Sequence, residues 1–93
     1  MTWTESFDAI INERERQFSN WGDQHYSSHL DWHIIFAEEA GEVAKALCDL
    51  RFGRGDAGAV KKELIEALAV GIAWLEDWEK VTDLTILRTS AIW

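Results

Sequence analysis

The apolar residues of this 93-residue chain recur at intervals of three and four positions in three long segments. This spacing places them along one side of an α-helix, and no segment shows the two-residue alternation of a half-buried strand. The chain contains no proline, so no residue removes a backbone donor from a helix interior. We therefore predict an all-α helical bundle that forms a single domain over residues 1–93.

The first helix is predicted to begin after Thr2, because Thr2 and Glu5 have the spacing of a capping box. Its apolar pattern ends at the break formed by residues 19–20. The following stretch, residues 20–29, contains Gly, Asn, Asp and Ser without helical periodicity. This composition predicts a connecting loop within the domain.

The second helix is predicted over residues 32 to about 52, with Asp31 as its cap and with glycines just beyond its end. The third, which is very apolar, is predicted from about residue 57 to residue 80 with Asp56 as its cap. A short fourth helix is predicted after Asp83. The resulting architecture is a bundle of three long helices plus a short C-terminal helix.

The third helix is apolar on more than one side. Ile65, Leu68, Ile72 and Leu75 lie away from the side that carries Glu63 and Glu66. A chain of 93 residues has a small interior, and one bundle cannot cover both sides of this helix. We therefore expect dimerisation to complete the fold, giving a homodimer or a homotetramer.

The formal net charge of −8 would repel the phosphate backbone of a nucleic acid, so no binding of polymeric nucleic acid is expected. No apolar run has the length of a membrane span, and the first residues lack the basic and then apolar pattern of a secretory signal. Cys48 is the single cysteine, which excludes an intramolecular disulfide. These features favour a cytoplasmic protein without a membrane segment.

Four glutamates lie within apolar stripes. At about 100° per residue, Glu39 and Glu42 fall inside the stripe of the second helix, and Glu63 and Glu66 repeat this arrangement on the third. A buried, unpaired carboxylate costs several kcal/mol or remains protonated, so inward acids need a cation. Oxygen ligands suit a hard ion, which indicates Mg²⁺, or alternatively Mn²⁺. A solvated acidic face is the simpler reading of one such pair, but two embedded pairs favour a metal site.

Two acidic motifs, EEAGE at 38–42 and ELIE at 63–66, stand twenty residues apart. Together they resemble the EExxE and ExxD pair of MazG-like nucleotide pyrophosphohydrolases. The segments ERERQ at 13–17 and WGDQ at 21–24 are similar to the ERxRQ and WGxQ region of small members of that group. The resemblance covers most of the chain, from about residue 10 to residue 78.

This resemblance implies an all-α bundle that dimerises, sometimes to a tetramer. It implies hydrolysis of a nucleoside triphosphate, more specifically a deoxynucleoside triphosphate, to the monophosphate and pyrophosphate, as in removal of unwanted nucleotides from the pool. It also implies that carboxylates hold Mg²⁺ on the triphosphate, namely Glu39, Glu42, Glu63 and Glu66. Glu66 stands where the family motif usually has Asp, so its side chain is one methylene longer.

Further residues are candidates for catalysis or substrate binding. Glu38 either contacts the attacking water or forms a surface pair with Lys45. The candidates for binding phosphate are the cations Arg14, Arg16, Lys45, Lys61 and Lys62, of which Arg14 interrupts the apolar side of the first helix. The candidates for stacking on the base are Trp21, His25 and Trp74, although tryptophans in small helical proteins more often serve the core or a subunit interface.

Three other readings compete with this one. His25, His29 and His33 recur every four residues, but the Gly and Ser around them favour a loop over a zinc site. A ferritin-like di-iron site needs His three positions after its glutamates, where this chain has Glu42 and Glu66. A non-catalytic acidic module that binds a basic partner or mimics DNA would require outward-facing acids. A relative that kept the bundle and lost catalysis is a further alternative.

Overall fold

The computed structural model describes residues 1–82, which form three α-helices and no strand. Helix α1 spans Trp3–Trp21, α2 spans His29–Arg51 and α3 spans Ala57–Asp77, and a 3₁₀ turn follows at Trp78–Lys80. The all-α class and the three long helices are confirmed. The predicted short helix after Asp83 lies outside the described residues.

Side chains cap the helices at their first turns. Thr2 Oγ1 accepts a hydrogen bond from the Glu5 backbone N–H at 3.1 Å, and the Glu5 carboxylate accepts one from the Thr2 N–H. Asp56 accepts a hydrogen bond from the Ala59 N–H at 2.9 Å. The predicted caps of α1 and α3 are therefore confirmed, and each satisfies a backbone donor that has no partner within its helix.

Two predicted boundaries are wrong. Ser28, not Asp31, caps α2 by accepting a hydrogen bond from the Leu30 N–H, so the helix begins at His29 and Asp31 falls in its first turn. An acid there still interacts favourably with the helix dipole, which explains the misleading signal. Helix α1 continues through residues 19–20 and ends at Trp21. Gly22 caps it with a φ of 72°, which a residue with a side chain rarely adopts.

Helix α3 packs against both α1 and α2 and forms the centre of the molecule. Its buried apolar positions carry small side chains, which allow close approach of the neighbouring helices; they are Ala67, Ala69, Val70 and Ala73. Trp32 of α2 is only 1% exposed and packs in this core. A Cβ added at Gly71 would lie 3.2 Å from the Phe36 ring, so glycine lets α2 and α3 approach closely.

Asp77 fixes the loop between α1 and α2. Its buried carboxylate accepts hydrogen bonds from Trp32 Nε1 at 2.8 Å, from the Tyr26 backbone N–H at 3.0 Å and from His25 Nδ1 at 2.8 Å. One side chain at the end of α3 thus holds both the loop and the start of α2. No helix within residues 1–82 is long and apolar enough to cross a membrane.

Candidate functional site

Three of the four predicted metal ligands meet between α2 and α3. Glu39 of α2 and Glu63 and Glu66 of α3 each contribute a carboxylate oxygen, and these oxygens lie within 4.8 Å of one another. All three residues are half-buried. We call them the acidic cluster, and it is the one group of three or more potential ligands of this kind within residues 1–82.

The electrostatics of the acidic cluster are unfavourable without a cation. Burial raises the pKa of Glu39 above its ordinary value, and the Glu63 carboxylate raises it further. Burial and the same Glu63 charge also raise the pKa of Glu66. Both groups therefore hold their protons more tightly than free glutamates, and a bound cation would favour their ionised forms.

The donor set fits Mg²⁺ or Mn²⁺ in its chemistry. Hard ions take oxygen ligands, and Mg²⁺ holds them at about 2.0 to 2.1 Å, so two oxygens on opposite sides of one ion lie about 4.2 Å apart. The three carboxylate oxygens lie within 4.8 Å of one another, so all three are close enough to approach one ion. Acidic side chains also adjoin on protein surfaces without a metal, so the geometry defines a candidate site and not an ion.

The other two predicted acids, Glu38 and Glu42, lie outside the acidic cluster. Glu42, one turn beyond Glu39 on α2, is exposed and is not part of the acidic cluster. It lines an adjacent groove of about 350 Å³ together with Glu63 and Lys45. Glu38 is exposed, and no ion pair joins it to Lys45 in the described part of the chain.

A cavity of about 220 Å³ opens beside the acidic cluster and is lined by residues of α1, α2 and α3. Glu39 and Glu66 line it at one side, and Trp21 of α1 and Gln24 of the loop line it as well. Its apolar lining comes from core residues, namely Trp32, Ile35 and Val70. We call this space the acidic cavity; it offers an aromatic and apolar surface next to carboxylates.

Helix α1 contributes a third acid to the lining of the acidic cavity, after Glu39 and Glu66. Glu13 accepts two hydrogen bonds of 2.7 Å from the Arg16 guanidinium, and this contact holds the pKa of Glu13 below its ordinary value. Gln17 Nε2 donates to Glu13 at 3.1 Å and to the Glu66 backbone carbonyl at 3.4 Å. Gln17 thereby joins α1 to α3 at the backbone of Glu66, a member of the acidic cluster.

The predicted substrate-binding residues separate into two groups. Trp21 lines the acidic cavity, where the Arg16 guanidinium lies 5.7 Å from its ring centre. Lys62 lies 3.9 Å from the Glu66 carboxylate, and Lys45 lines the groove that contains Glu42 and Glu63. The structure brings these three side chains to the acidic residues.

Arg14, His25 and Trp74 do not line the acidic cavity. Arg14 is buried and forms a two-bond ion pair with Glu76, which joins α1 to α3 on another side of the molecule. His25 donates to Asp77. Trp74 Nε1 donates to His29 Nδ1 at 2.9 Å, so its indole belongs to the packing around the core. Each side chain has a structural partner that accounts for its position.

The three histidines do not converge. His25 contacts Asp77, whereas His29 is buried, stacks near Trp78 with ring centres 4.1 Å apart and accepts the Trp74 hydrogen bond. His33 lies beside Trp74. The sequence placed all three histidines in a loop, but His29 and His33 lie on α2, which begins at His29. Within residues 1–82 no group of three or more potential metal ligands includes a histidine.

Sequence reasoning did not assign roles to several residues of this region. Glu13, Gln17 and Gln24 lie within the two upstream motifs, ERERQ and WGDQ, and this proximity to recognised segments was the available signal. Asp77 had a weaker signal, a single acid at the end of a very apolar helix. Its burial depends on donors that lie 45 to 52 residues away along the chain.

No protein-family model, curated protein or solved structure matches this chain. The features of the chain that indicate a function are therefore the chemistry of the acidic cluster, the cavity beside it and the motifs in the sequence.

Proposed function

We propose that this protein is a Mg²⁺-dependent nucleoside triphosphate pyrophosphohydrolase of the MazG-like type, with Mn²⁺ as an alternative ion. Deoxynucleoside triphosphates are its proposed substrates, and a nucleoside monophosphate and pyrophosphate are its products. Its proposed setting is the cytoplasm, where it would remove unwanted nucleotides from the pool. The whole chain, residues 1–93, would act as one domain.

One observation carries this proposal: three carboxylates from two helices meet at the edge of a cavity that tryptophans line. A magnesium nucleotide has the same two parts, a charged phosphate chain that needs a cation and a flat base that stacks on aromatic rings. The resemblance of the 38–42 and 63–66 segments to the family motifs supports the same assignment.

Each residue has a distinct proposed role. Glu39, Glu63 and Glu66 would hold the ion, and Glu42 would complete the ligand set from the next turn of α2. The ion, when bound, neutralises phosphate oxygens and makes a water molecule more acidic. Glu38 would contact the attacking water. Trp21 would stack on the base within the acidic cavity.

A product analysis tests this function. Purified protein is incubated with each common dNTP and NTP and with Mg²⁺, and the nucleotide products are separated by anion-exchange chromatography. We expect monophosphate and pyrophosphate, with no diphosphate, because the proposed attack is at the α-phosphorus. Chelation of the metal should abolish turnover.

Substitution of the ligands makes this test specific. Glu39→Ala and Glu63→Ala should each lower turnover by about 100-fold or more, because each removes a metal ligand. Asp8→Ala is the matched control, since Asp8 is an exposed acid on α1 away from the cavity, and its turnover should equal that of wild type. Turnover by Glu39→Ala and Glu63→Ala within a few-fold of wild type would refute the site.

The exposed positions of Glu38 and Glu42 favour one second function, a non-catalytic acidic module that binds a basic partner. Thermal unfolding with Mg²⁺ separates the two. A metal enzyme whose ion binds only the folded state gains about 2.7 kcal/mol of unfolding free energy when Mg²⁺ is at 100 times its Kd. An acidic surface without a site should show no such saturable gain, and Glu63→Ala should match wild type.

A further inference from the structure

A second groove adjoins the acidic cavity on the other side of the Glu13–Arg16 ion pair. It has a volume of about 430 Å³ and lies between α1 and the first two turns of α3. Asn12 and Arg16 line it from α1, and Lys61 and Lys62 line it from α3. We call it the basic groove.

The basic groove concentrates positive charge in an acidic protein. Three of the nine Lys and Arg residues of the chain line it, although the net charge is −8. Glu13 is the one acid in its lining, and Arg16 already pairs with it. Lys61 forms no ion pair within residues 1–82, so its charge is available to an anion.

Two cations stand at the boundary between the basic groove and the acidic residues. Arg16 lines both the acidic cavity and the basic groove, and Lys62 lies 3.9 Å from Glu66 of the acidic cluster. Along the axis of α3, Lys61 and Lys62 precede Glu66 by about 6 to 8 Å, at a rise of 1.5 Å per residue. A phosphate chain anchored at the acidic cluster would therefore meet these cations within two helical turns.

We propose that the basic groove binds the β- and γ-phosphates of the nucleotide and holds the pyrophosphate leaving group. This inference rests on the proposed function and assigns a direction to the substrate, with the base in the acidic cavity and the phosphate chain extending past Arg16 towards Lys61 and Lys62 at the start of α3. Water attacks the α-phosphorus, and the bond from that phosphorus to the bridging oxygen breaks. The bridging oxygen keeps the electron pair and leaves as pyrophosphate, and the proton of the water passes to solvent.

The cations of the basic groove act on the charge that develops during this step. Negative charge accumulates on the bridging oxygen and on the β- and γ-phosphates as the bond breaks. Lys61, Lys62 and the donor groups of Arg16 and Asn12 face that charge. Cleavage between the α- and β-phosphates is then favoured over loss of the γ-phosphate alone, since the groove holds both terminal phosphates.

Calorimetric titration with inorganic pyrophosphate in Mg²⁺ tests the basic groove, using Lys61→Glu and the matched control Lys80→Glu. Both lysines are exposed, but Lys80 lies in the 3₁₀ turn after α3, beside Asp23. We expect Lys61→Glu to weaken pyrophosphate binding by about tenfold at low salt, because it reverses a charge at the proposed site. Lys80→Glu and wild type should agree, and a nucleoside monophosphate should bind all three alike.

The outcomes separate this inference from the proposed function. Equal pyrophosphate affinity in wild type, Lys61→Glu and Lys80→Glu, or no binding by wild type at millimolar pyrophosphate, would overturn the basic groove even if hydrolysis occurs. Pyrophosphate binding that Lys61→Glu weakens, in a protein that hydrolyses no nucleotide, would support the groove and overturn the hydrolase. Circular dichroism of both variants verifies that each is folded.

Discussion

Asp77 shows how one residue can hold a site that it does not line. Three donors converge on its carboxylate: His25 Nδ1, Trp32 Nε1 and the Tyr26 N–H. Burial alone would raise its pKa, but the Tyr26 N–H and then the two side-chain donors more than offset this effect, so the pKa of Asp77 lies below its ordinary value. The ionised form is therefore the one that stabilises the loop beside the acidic cavity.

We predict that Asp77→Asn lowers the unfolding free energy at pH 7 by about 1 to 3 kcal/mol. The amide oxygen can still accept hydrogen bonds from Trp32 Nε1 and the Tyr26 N–H, but the amide has no charge, so the stronger bonds to an ionised carboxylate are lost. Urea denaturation measures the loss, and Asp23→Asn, at an exposed position of the same loop, is the control.

The same prediction has a pH dependence with a defined sign. A carboxyl whose pKa is lower in the folded state contributes stability above its unfolded pKa, and this stability disappears as the pH falls through the folded value. The difference between wild type and Asp77→Asn should therefore shrink below about pH 4. A difference that is constant from pH 7 to pH 3 would contradict this account of Asp77.

The acidic cluster should respond to pH in the opposite direction. The raised pKa values of Glu39 and Glu66 mean that the metal-free fold is stabilised by their protonated forms. This contribution is complete below their unfolded pKa and is lost as the pH rises through the folded values. We predict that metal-free wild type loses stability relative to Glu39→Gln between about pH 4.5 and pH 7.

Thermal unfolding of both proteins in EDTA, across this pH range, measures the effect. Saturating Mg²⁺ should reverse the order at pH 7, because the ion requires ionised ligands and Glu39→Gln lacks one. Parallel melting curves for the two proteins at every pH, with and without Mg²⁺, would show that Glu39 has no unusual environment.

At the scale of the helices, the sequence predicted that the three helices exist and which of their sides face one another. It predicted less well the residues at which they begin and end. The periodic pattern placed Glu39, Glu63 and Glu66 on sides of α2 and α3 that face one another, since the angular positions of residues on a helix follow from spacing alone. The periodic pattern did not predict that Glu42 lies outside the acidic cluster, because the crossing angle of two helices determines how far each turn of one lies from the other. The N-cap of α2 was missed because Ser28 and Asp31 both carry suitable side chains.

Tertiary contacts explain the other misses among single residues. Arg14 interrupts an apolar stripe, which suggested a ligand contact, but its partner Glu76 lies 62 residues further along the chain. Glu13 looks like an ordinary surface acid in sequence, yet Arg16 and Gln17 hold it at the acidic cavity. The residue spacing in a single sequence does not reveal such contacts between residues that are far apart along the chain.

The distance between α3 and its neighbours determines the effect of the longer side chain at position 66. We predict that Glu66→Asp keeps activity equal to or above that of wild type, because Asp is the usual residue at the corresponding position of the MazG-like motif that residues 63–66 resemble. Steady-state kinetics at several Mg²⁺ concentrations measure turnover and metal dependence together. A large loss would contradict the prediction and would mean that α3 lies further from the ion, with Glu66 compensating by its reach.

At the scale of the whole molecule, the outer side of the bundle is strongly apolar. Leu68, Ile72 and Leu75 of α3 are exposed, as predicted, whereas Ile65 is half-buried beside the basic groove. Phe7 and Ile11 of α1 are also exposed and adjoin Ile72 across a shallow groove. The two helices together present one continuous apolar surface, which is unusual for a monomer. We also expect the apolar residues Ile92 and Trp93 at the end of the sequence to take part in this interface, and both lie outside the described residues.

We predict that this surface pairs two copies of the chain, as a homodimer or as a dimer of dimers, through α3 and its apolar neighbours. Light scattering at micromolar concentration should give two or four times 10.7 kDa. Leu75→Glu places a charge on a side chain that is 67% exposed, so it should shift the mass towards 10.7 kDa while the isolated bundle remains folded. Leu47→Glu makes the same change on α2, at a side chain that is 50% exposed, and should leave the mass unchanged.

Because assembly buries part of the apolar surface of each copy, dilution of wild type should lower its melting temperature, whereas dilution of Leu75→Glu should not. A wild-type mass near 10.7 kDa with a melting temperature independent of concentration would contradict the pairing.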